Sequence, residues 1–275
     1  MGVLNVTPDS FSDGGLYFDK DKAVERGLRL ATEGADIIDI GGESTRPGSD
    51  SVPSQEELQR VIPVISALRE KTEVLISVDT TKSEIAEAAV EAGADIINDI
   101  SAFRFDSRMP SLAAQKGVSV VLMHMQGNPK TMQISPAYKN LLMEIKSFLK
   151  EKLEAAQAAG VEREKIIIDP GIGFGKSFED NLTLINNLNF LEELERPILV
   201  GTSRKSFIGN ILNLPPQERI EGSIASAVLS IIRGAHILRV HDVQSVKRAI
   251  IVAESILNEN LTLNAQEERK KENVC

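Results

Sequence analysis

Residues 34–38 (GADII) close a helix-like segment and open a short apolar run. The same pattern recurs as GADII over residues 93–97 and as GAHIL over residues 234–238. Glycine favours the left-handed backbone position just past a helix end, and the β-branched residues that follow favour a buried strand. The repeated pattern therefore predicts a helix-to-strand joint that the chain uses several times.

Eight apolar runs of this kind occur along the chain, and we interpret them as β-strands. They are nearly continuous rather than alternating in hydropathy, which is typical of parallel strands covered on both faces. Segments with helical periodicity lie between them. The predicted strands are residues 2–6, 37–40, 74–78, 96–98, 118–123, 166–168, 198–201 and 237–240.

The alternation of strands and helices predicts an α/β fold with a parallel sheet. The sheet is either a closed (β/α)8 TIM barrel or an open, doubly wound sheet. A polar residue or glycine follows nearly every predicted strand. In a barrel these residues converge on one rim, where the active sites of this fold lie, so we favour the barrel. We expect one domain over residues 1–258 and a polar, frayed tail over residues 259–275.

One predicted helix carries two local signals. Ser54, with Glu57 three residues later, is typical of a capping box, in which each side chain bonds to a backbone N–H at the helix start. Pro63 lies inside the same stretch, and we expect it to kink the helix or divide it in two.

Composition and charge exclude several classes of partner. The chain has 275 residues and a net charge of −9, which argues against bulk attraction to nucleic acid or an anionic membrane. No apolar run reaches the ~18–20 residues that span a membrane, and the start does not resemble a signal peptide. The one cysteine, Cys275, allows no disulfide within the chain and fits a reducing compartment. We therefore expect an acidic cytoplasmic protein, either an enzyme or a binding module.

Polar side chains at three strand ends suit a heterocyclic ligand. Asp79 and Asn98 end neighbouring strands, and a carboxylate beside an amide can bind the amino and ring N–H groups of a guanine-like ring. Asp169 ends a further strand, and Phe174 could pack on such a ring. Residues 169–176 (DPGIGFGK) lack the spacing of both nucleotide-binding glycine motifs, so we exclude a nucleoside triphosphate. Capping of the next helix is the alternative, and it suits Thr80 or Thr81 better than Asp79.

Cationic side chains gather after the seventh and eighth strands. Barrels often bind phosphate there, and Lys205, Arg239 and His241 could surround an anion. Arg46, in the glycine-rich loop after the second strand, offers a planar fork for phosphate or carboxylate. For His124, which follows the fifth strand, a site role and a core role both stay open.

Taken together, these segments strongly resemble the dihydropteroate synthase family, the folate-pathway enzymes that sulfonamides inhibit. The likeness extends over almost the whole chain. It is carried by residues 5–15 (NVTPDSFSDGG), 38–48 (IDIGGESTRPG), 77–80 with 97–101, 169–176 (DPGIGFGK), and 203–209 (SRKSFIG) with 239–243 (RVHDV).

The resemblance implies a barrel that condenses 6-hydroxymethyl-7,8-dihydropterin pyrophosphate with 4-aminobenzoate. The implied products are 7,8-dihydropteroate and pyrophosphate, formed by an SN1-like course. The implied catalytic residues are Asp13, Arg46, Asp79 and Lys205. The implied pterin-binding residues are Asp79, Asn98, Met123, Asp169, Phe174 and Lys205. The implied pyrophosphate-binding residues are Asn5, Thr45, Arg239 and His241, and the implied aminobenzoate-binding residues are Phe11, Pro47 and Ser206.

The same resemblance implies a Mg2+ cofactor in contact with Asn5, a homodimer, and mobile loops at residues 7–17 and 43–53. Members of the family have residues ahead of the first strand. Here Met1 already belongs to the first motif, so we expect either that the N-terminal lead is missing or that the recorded start is internal. We expect a less well sealed barrel floor, with apolar area exposed at that end.

Two alternative functions share parts of this pattern. A pterin-binding, corrinoid-dependent methyltransferase would share the carboxylate and amide contacts but would not need the two long loops. A catalytically idle relative is expected to lose one or more residues from the set Asp13, Arg46, Lys205 and His241, and all four are present.

Overall fold

The computed structural model describes residues 1–7, 19–44, 48–49 and 51–259, and it contains all eight predicted strands. Each observed strand overlaps its predicted run and differs from it by a residue or two at the ends. The strands are β1 (Gly2–Asn5), β2 (Ile37–Gly41), β3 (Leu75–Asp79), β4 (Ile96–Asp99), β5 (Ser119–Met123), β6 (Ile166–Asp169), β7 (Leu199–Val200) and β8 (Ile237–Leu238).

These strands form a closed parallel barrel. β1 to β6 pair in sequence order as one sheet, and β7 pairs in parallel with β8. Two single bridges join the parts, one between Ile168 and Ile198 and the other between Gly2 and Val240. The second joint includes a hydrogen bond from the Val3 N–H to the Val240 carbonyl (3.0 Å). The (β/α)8 barrel prediction is thus confirmed, and the open sheet is excluded.

Helices cover the outside of the barrel. The described residues contain nine α-helices: α1 (Lys20–Thr32), α2 (Ser54–Arg69), α3 (Ser83–Glu91), α4 (Met109–Lys116), α5 (Leu141–Ala158), α6 (Phe178–Asn186), α7 (Ser206–Leu212), α8 (Ile220–Ile232) and α9 (Val243–Leu257). The sequence predicted one helix per strand, and the additional one is the short α7, which precedes α8 in the connection from β7 to β8. Across the described ranges, every helix is too short or too polar to cross a membrane.

The repeated helix-to-strand joint has the predicted geometry. Gly34, Gly93 and Gly234 have φ values of +98°, +111° and +101°, which residues with a side chain rarely adopt. At Gly93 an added Cβ would also lie 2.8 Å from the Arg69 side chain. Glycine therefore lets each of these helices end and the next strand begin within a few residues.

The capping box predicted at Ser54 and Glu57 is wrong. α2 begins at Ser54 itself, directly after Pro53, and no side chain caps it. Glu57 is 1% exposed, and its carboxylate accepts a hydrogen bond from the Lys82 ammonium (2.6 Å). The Glu57 side chain therefore makes a charge-assisted hydrogen bond to a distant residue instead of the backbone bond that a capping box requires. Pro63 lies within the continuous α2 and does not divide it.

Alternate residues of each strand face two different cores. Ile38, Ile40 and Val78 point outward and pack beneath the helices. A second, apolar cluster lies inside the barrel and consists of Met1, Ile37, Ile96, Val121, Ile167 and Leu199. Nearer the carboxyl ends of the strands, buried polar side chains replace these apolar ones. The two-residue period of the strands thus brings the polar residues of the motifs together at one rim.

Candidate active site

A pocket opens at this carboxyl-terminal rim. Asp79, Asn98 and Asp169, near the ends of β3, β4 and β6, are only 7%, 4% and 6% exposed. The pocket is lined by eight of the predicted site residues: Asp79, Asn98, Met123, Asp169, Phe174, Lys205, Arg239 and His241. The tertiary structure therefore gathers residues from six strands and their following loops around one cavity.

Arg239 links two carboxylates at the floor of the pocket. Its Nε donates to Oδ2 of Asp39 (2.6 Å), and its Nη2 donates to Oδ2 of Asp79 (2.8 Å). Burial lowers the pKa of the guanidinium, but the charges of Asp39 and Asp79 outweigh this and raise it above its ordinary value. Arg239 is therefore a permanent cation, and it ties the segment after β8 to β2 and β3.

Asp39 is a residue of this network that the strand-end argument missed. It lies in the middle of β2, has no exposed surface, and also accepts a hydrogen bond from Nδ2 of Asn98 (3.2 Å to Oδ2). Polar residues that follow a strand mark the rim in the sequence, whereas Asp39 lies within a strand. The signal that could have found it is a single carboxylate inside the apolar run 37–40, because a buried charge needs a partner.

Two carboxyl groups of the pocket wall have raised pKa values. Burial raises the pKa of Asp79 to about 7 in spite of Arg239, and the charge of Asp39 adds to the rise. Burial raises the pKa of Asp169 to about 6, although the Gly171 N–H donates to its Oδ1 (2.6 Å). Both groups therefore exchange protons near neutral pH, and a bound cation would favour their ionised forms.

Lys205 and Phe174 face each other in the pocket. The Nζ of Lys205 lies 4.2 Å from the centre of the Phe174 ring, a cation–π contact. Burial, assisted by the charge of Arg239, lowers the pKa of Lys205 to about 8. A planar ring bound here would meet an aromatic face and an ammonium as well as the carboxylates.

The side of the pocket next to β7 and β8 carries Ser203 and His241. The His241 Nδ1 lies 3.1 Å from the Ser203 Oγ, and the backbone N–H of His241 donates to the same oxygen (3.2 Å). Burial and then the charge of Arg239 lower the pKa of His241 to about 4. His241 is thus neutral at pH 7 and can donate one ring N–H to an anion beside Arg239.

A buried lysine supports the pocket wall from behind. Lys176 is 3% exposed, and its Nζ lies 3.0 Å from His124 Nδ1 and donates to the carbonyls of Phe174 (2.9 Å) and His124 (3.3 Å). Burial lowers the pKa of Lys176 to about 7. Burial and Lys176 together lower the pKa of His124 to about 2. His124 also packs edge-on against Phe148, so the structure makes it a neutral core residue.

The remaining predicted site residues do not line this pocket or lie outside the described ranges. Asn5 is the last residue of β1, on the same rim, while Ser206 is an exposed residue at the start of α7 and does not line the pocket. Within the described residues, no group of three or more His, Cys, Asp or Glu side chains could hold a metal ion. Five predicted residues lie outside the described ranges: Phe11, Asp13, Thr45, Arg46 and Pro47.

Comparison with known proteins decides the family. A family model described as "Pterin binding enzyme" matches residues 1–241. The dihydropteroate synthase of Escherichia coli (strain K12) is 47% identical over 272 residues, which cover 99% of this chain and 94% of that protein. The chain belongs to the dihydropteroate synthase family. The Clostridium beijerinckii member is 50% identical over 258 residues, covering 94% of this chain and 93% of that protein.

Solved structures of dihydropteroate synthases share the fold. The Xanthomonas albilineans enzyme with 4-aminobenzoic acid superposes with a TM-score of 0.88 at 48% identity, covering 94% of this chain and 92% of that one. A structure of the same enzyme with 7,8-dihydropteroate gives a TM-score of 0.84 at 44% identity, with the same coverage. Members of the family are transferases, and so is this chain.

Proposed function

We propose that the rim site condenses 6-hydroxymethyl-7,8-dihydropterin pyrophosphate with 4-aminobenzoate, giving 7,8-dihydropteroate and pyrophosphate in folate biosynthesis. The observation that carries this proposal is the buried pocket that Asp79, Asn98, Asp169 and Lys205 share with Arg239 and His241. The family supports it, since a dihydropteroate synthase of the same fold was solved with 4-aminobenzoic acid.

The pterin ring matches the polar wall of the pocket. Its amino and ring N–H groups are donors, and the carboxylates of Asp79 and Asp169 and the amide oxygen of Asn98 are acceptors. Met123 and Phe174 offer apolar surface to the faces of the ring. Because these polar groups are buried, each hydrogen bond to the ring is stronger than it would be in water.

The pyrophosphate would lie against the side formed by Arg239, His241 and Asn5. When the bond between the methylene carbon and the phosphate oxygen breaks, the electron pair leaves with pyrophosphate. The Arg239 guanidinium, the ring N–H of neutral His241 and the ammonium of Lys205 are fixed donors for that developing charge. Arg239 can offer its remaining N–H groups to the anion while its Nε and Nη2 stay bonded to Asp39 and Asp79.

The carbon left behind carries positive charge, delocalised into the pterin. Asp79 and Asp169 are the carboxylates that would stabilise it, and the cation in turn lowers their raised pKa values and keeps them ionised. The amine of aminobenzoate then donates its lone pair to the carbon, forms the C–N bond and loses a proton. This SN1-like course needs no covalent bond between enzyme and substrate.

We further propose that Mg2+ is a cofactor and is held largely by the pyrophosphate. At the rim Asn5 offers one amide oxygen, and the described part of the chain supplies no cluster of metal-binding carboxylates. Mg2+ commonly keeps several waters and takes only one or two protein oxygens besides substrate phosphates, so this donor set fits. When bound, Mg2+ would add positive charge beside the leaving group.

We also propose a homodimer formed through α6, α7 and α8. These helices line an apolar groove on the outside of the barrel. Ile211, Leu212 and Leu229 in that groove are 56%, 42% and 51% exposed. Clustered apolar side chains of this kind are typical of an interaction surface, and a second copy would remove them from water. Leu229→Glu should convert a dimer to a monomer in size-exclusion chromatography, and a monomeric wild-type protein would contradict the proposal.

The proposed reaction can be tested directly. Purified protein is mixed with dihydropterin pyrophosphate, 4-aminobenzoate and Mg2+, and pyrophosphate and dihydropteroate are both quantified. We expect equal amounts of the two products, and no dihydropteroate when aminobenzoate is omitted. A folded, monodisperse sample that forms neither product would refute the proposal, because a corrinoid-dependent methyltransferase or an idle relative would behave in that way.

A further inference from the structure

We propose that Asp39 is a positioning residue that turns the Asn98 amide so that its carbonyl oxygen, and not its NH2 group, faces the pterin. The inference rests on the function proposed above, because it concerns how the same pocket recognises its ligand. Asp39 has no exposed surface and does not line the pocket, so it would act through Asn98 and not by touching the substrate.

The hydrogen-bond partners of the Asp39 side chain are donors. Its Oδ1 and Oδ2 lie 3.4 Å and 3.2 Å from Nδ2 of Asn98, and Oδ2 also accepts the 2.6 Å hydrogen bond from Nε of Arg239. A carboxylate bound to a guanidinium offers only acceptor atoms. The NH2 end of the Asn98 amide is therefore the end that satisfies it, and the opposite orientation would place two acceptors in contact.

The orientation of Asn98 then determines what the ligand meets. Asn98 lines the pocket, and its Oδ1 is directed away from Asp39 because its Nδ2 is directed towards it. Among the described residues, the side-chain hydrogen bonds of Asn98 are the two from Nδ2 to Asp39. The carbonyl oxygen is thus the atom available to the ligand. It accepts from a ring edge that carries N–H groups, as a pterin edge does, and disfavours an edge of acceptors.

The substitution Asp39→Asn tests this orientation with little change in volume. The oxygen of the new amide would take the place of Asp39 Oδ2 and accept from Arg239, and its NH2 group would take the place of Oδ1, 3.4 Å from Nδ2 of Asn98. To avoid two donors in contact, Asn98 would turn over and present its NH2 group to the ligand. A buried site whose polar groups match those of a ring binds that ring much more weakly once the match is lost.

The experiment measures binding of 6-hydroxymethylpterin, which has no pyrophosphate, by calorimetry. We expect Asp39→Asn to weaken binding at least about tenfold. The matched control is Asp36→Asn, at an exposed carboxylate that pairs with Lys247 (2.8 Å), and it should leave binding unchanged. Thermal unfolding by circular dichroism verifies that each variant is folded.

A swapped pair gives the specific readout. In the double variant Asp39→Asn/Asn98→Asp, the NH2 group at position 39 again meets an acceptor at position 98, and an oxygen at position 98 again faces the ligand. We expect affinity within about threefold of wild type. Neither the single variant nor the swapped variant has a charge at position 39. If that charge had a purely structural role, the swapped variant would bind the pterin as weakly as the single variant.

The outcomes separate the inference from the proposed function. A wild-type protein that does not bind the pterin would contradict the proposed function itself. If wild type binds but folded Asp39→Asn binds within about twofold of it, the positioning role of Asp39 is overturned and the function stands. A loss in the single variant that a folded swapped variant fails to recover would also overturn the orientation argument.

Discussion

The most informative stability experiment removes the buried ammonium of Lys176. In Lys176→Met an unbranched apolar chain of similar length takes its place. The change deletes the bonds to His124 Nδ1 and to the carbonyls of Phe174 and His124. Each buried acceptor left without a donor costs about 1–3 kcal/mol. This cost should not depend strongly on pH.

The opposing effect does depend on pH. The pKa of Lys176 falls from 10.5 in water to about 7 in the folded protein because burial penalises the charged form. Between these values the unfolded chain binds a proton that the folded protein lacks, so the wild-type free energy of unfolding rises with pH. At 1.36 kcal/mol per pH unit, and allowing for partial protonation at pH 7, the rise is about 2 kcal/mol from pH 7 to pH 9.

Methionine cannot titrate, so this rise should be absent from the variant. We expect Lys176→Met to lose about 2 kcal/mol more stability, relative to wild type, at pH 9 than at pH 7. The assay is urea unfolding at both pH values, followed by far-UV circular dichroism because the chain has no tryptophan. Taking the difference between variant and wild type cancels the titration of groups distant from Lys176.

Lys247→Met is the matched control. The ammonium of Lys247 lies at the surface, 41% exposed, beside Asp36. This variant should differ from wild type by the same amount at both pH values. A stability difference for Lys176→Met that is equally independent of pH would refute the reasoning, because it would mean that burial does not penalise the Lys176 charge.

Three further substitutions test the site. Arg239→Ala should weaken pyrophosphate binding at least about tenfold more than pterin binding in calorimetry, since its charge faces the anion, and equal losses would remove that role. Asp79→Asn should leave the fold intact but lower kcat about 100- to 1000-fold; wild-type kcat/KM should rise with pH through about 7 as Asp79 of the free enzyme loses its proton, and the rise should vanish in the variant. Gly171→Ala should greatly weaken pterin binding, because Gly171 has φ +70° and its Cβ would lie 1.9 Å from the His124 carbonyl oxygen. Normal binding by that variant would show that the loop can rearrange.

The order of the strands and helices could be predicted because it depends on local patterns. A helix end at Gly34 or Gly93 needs only a residue that tolerates positive φ. A strand covered on both faces needs only a short run of β-branched residues. The barrel rim follows as well, since parallel strands that close a barrel place all their carboxyl ends on one side.

Local patterns failed where a distant partner competes for the same side chain. Ser54 and Glu57 have the spacing of a capping box, yet Glu57 bonds to Lys82, which lies 25 residues further along the chain. The spacing of two residues indicates which hydrogen bonds they can form with each other. It does not indicate which hydrogen bonds a third residue can form with them once the chain is folded and water has been removed.

The fold class, the family motifs and most of the residues around the pocket therefore follow from the amino-acid sequence of this chain. The bond between Asp39 and Arg239, 200 residues away, and the burial of Lys176 against His124 arise only when the barrel closes. The physical reason is that these contacts are set by burial. Removing water makes an unpaired charge costly, so each buried charge is positioned by whichever partners the closed barrel brings to it, at any separation along the chain.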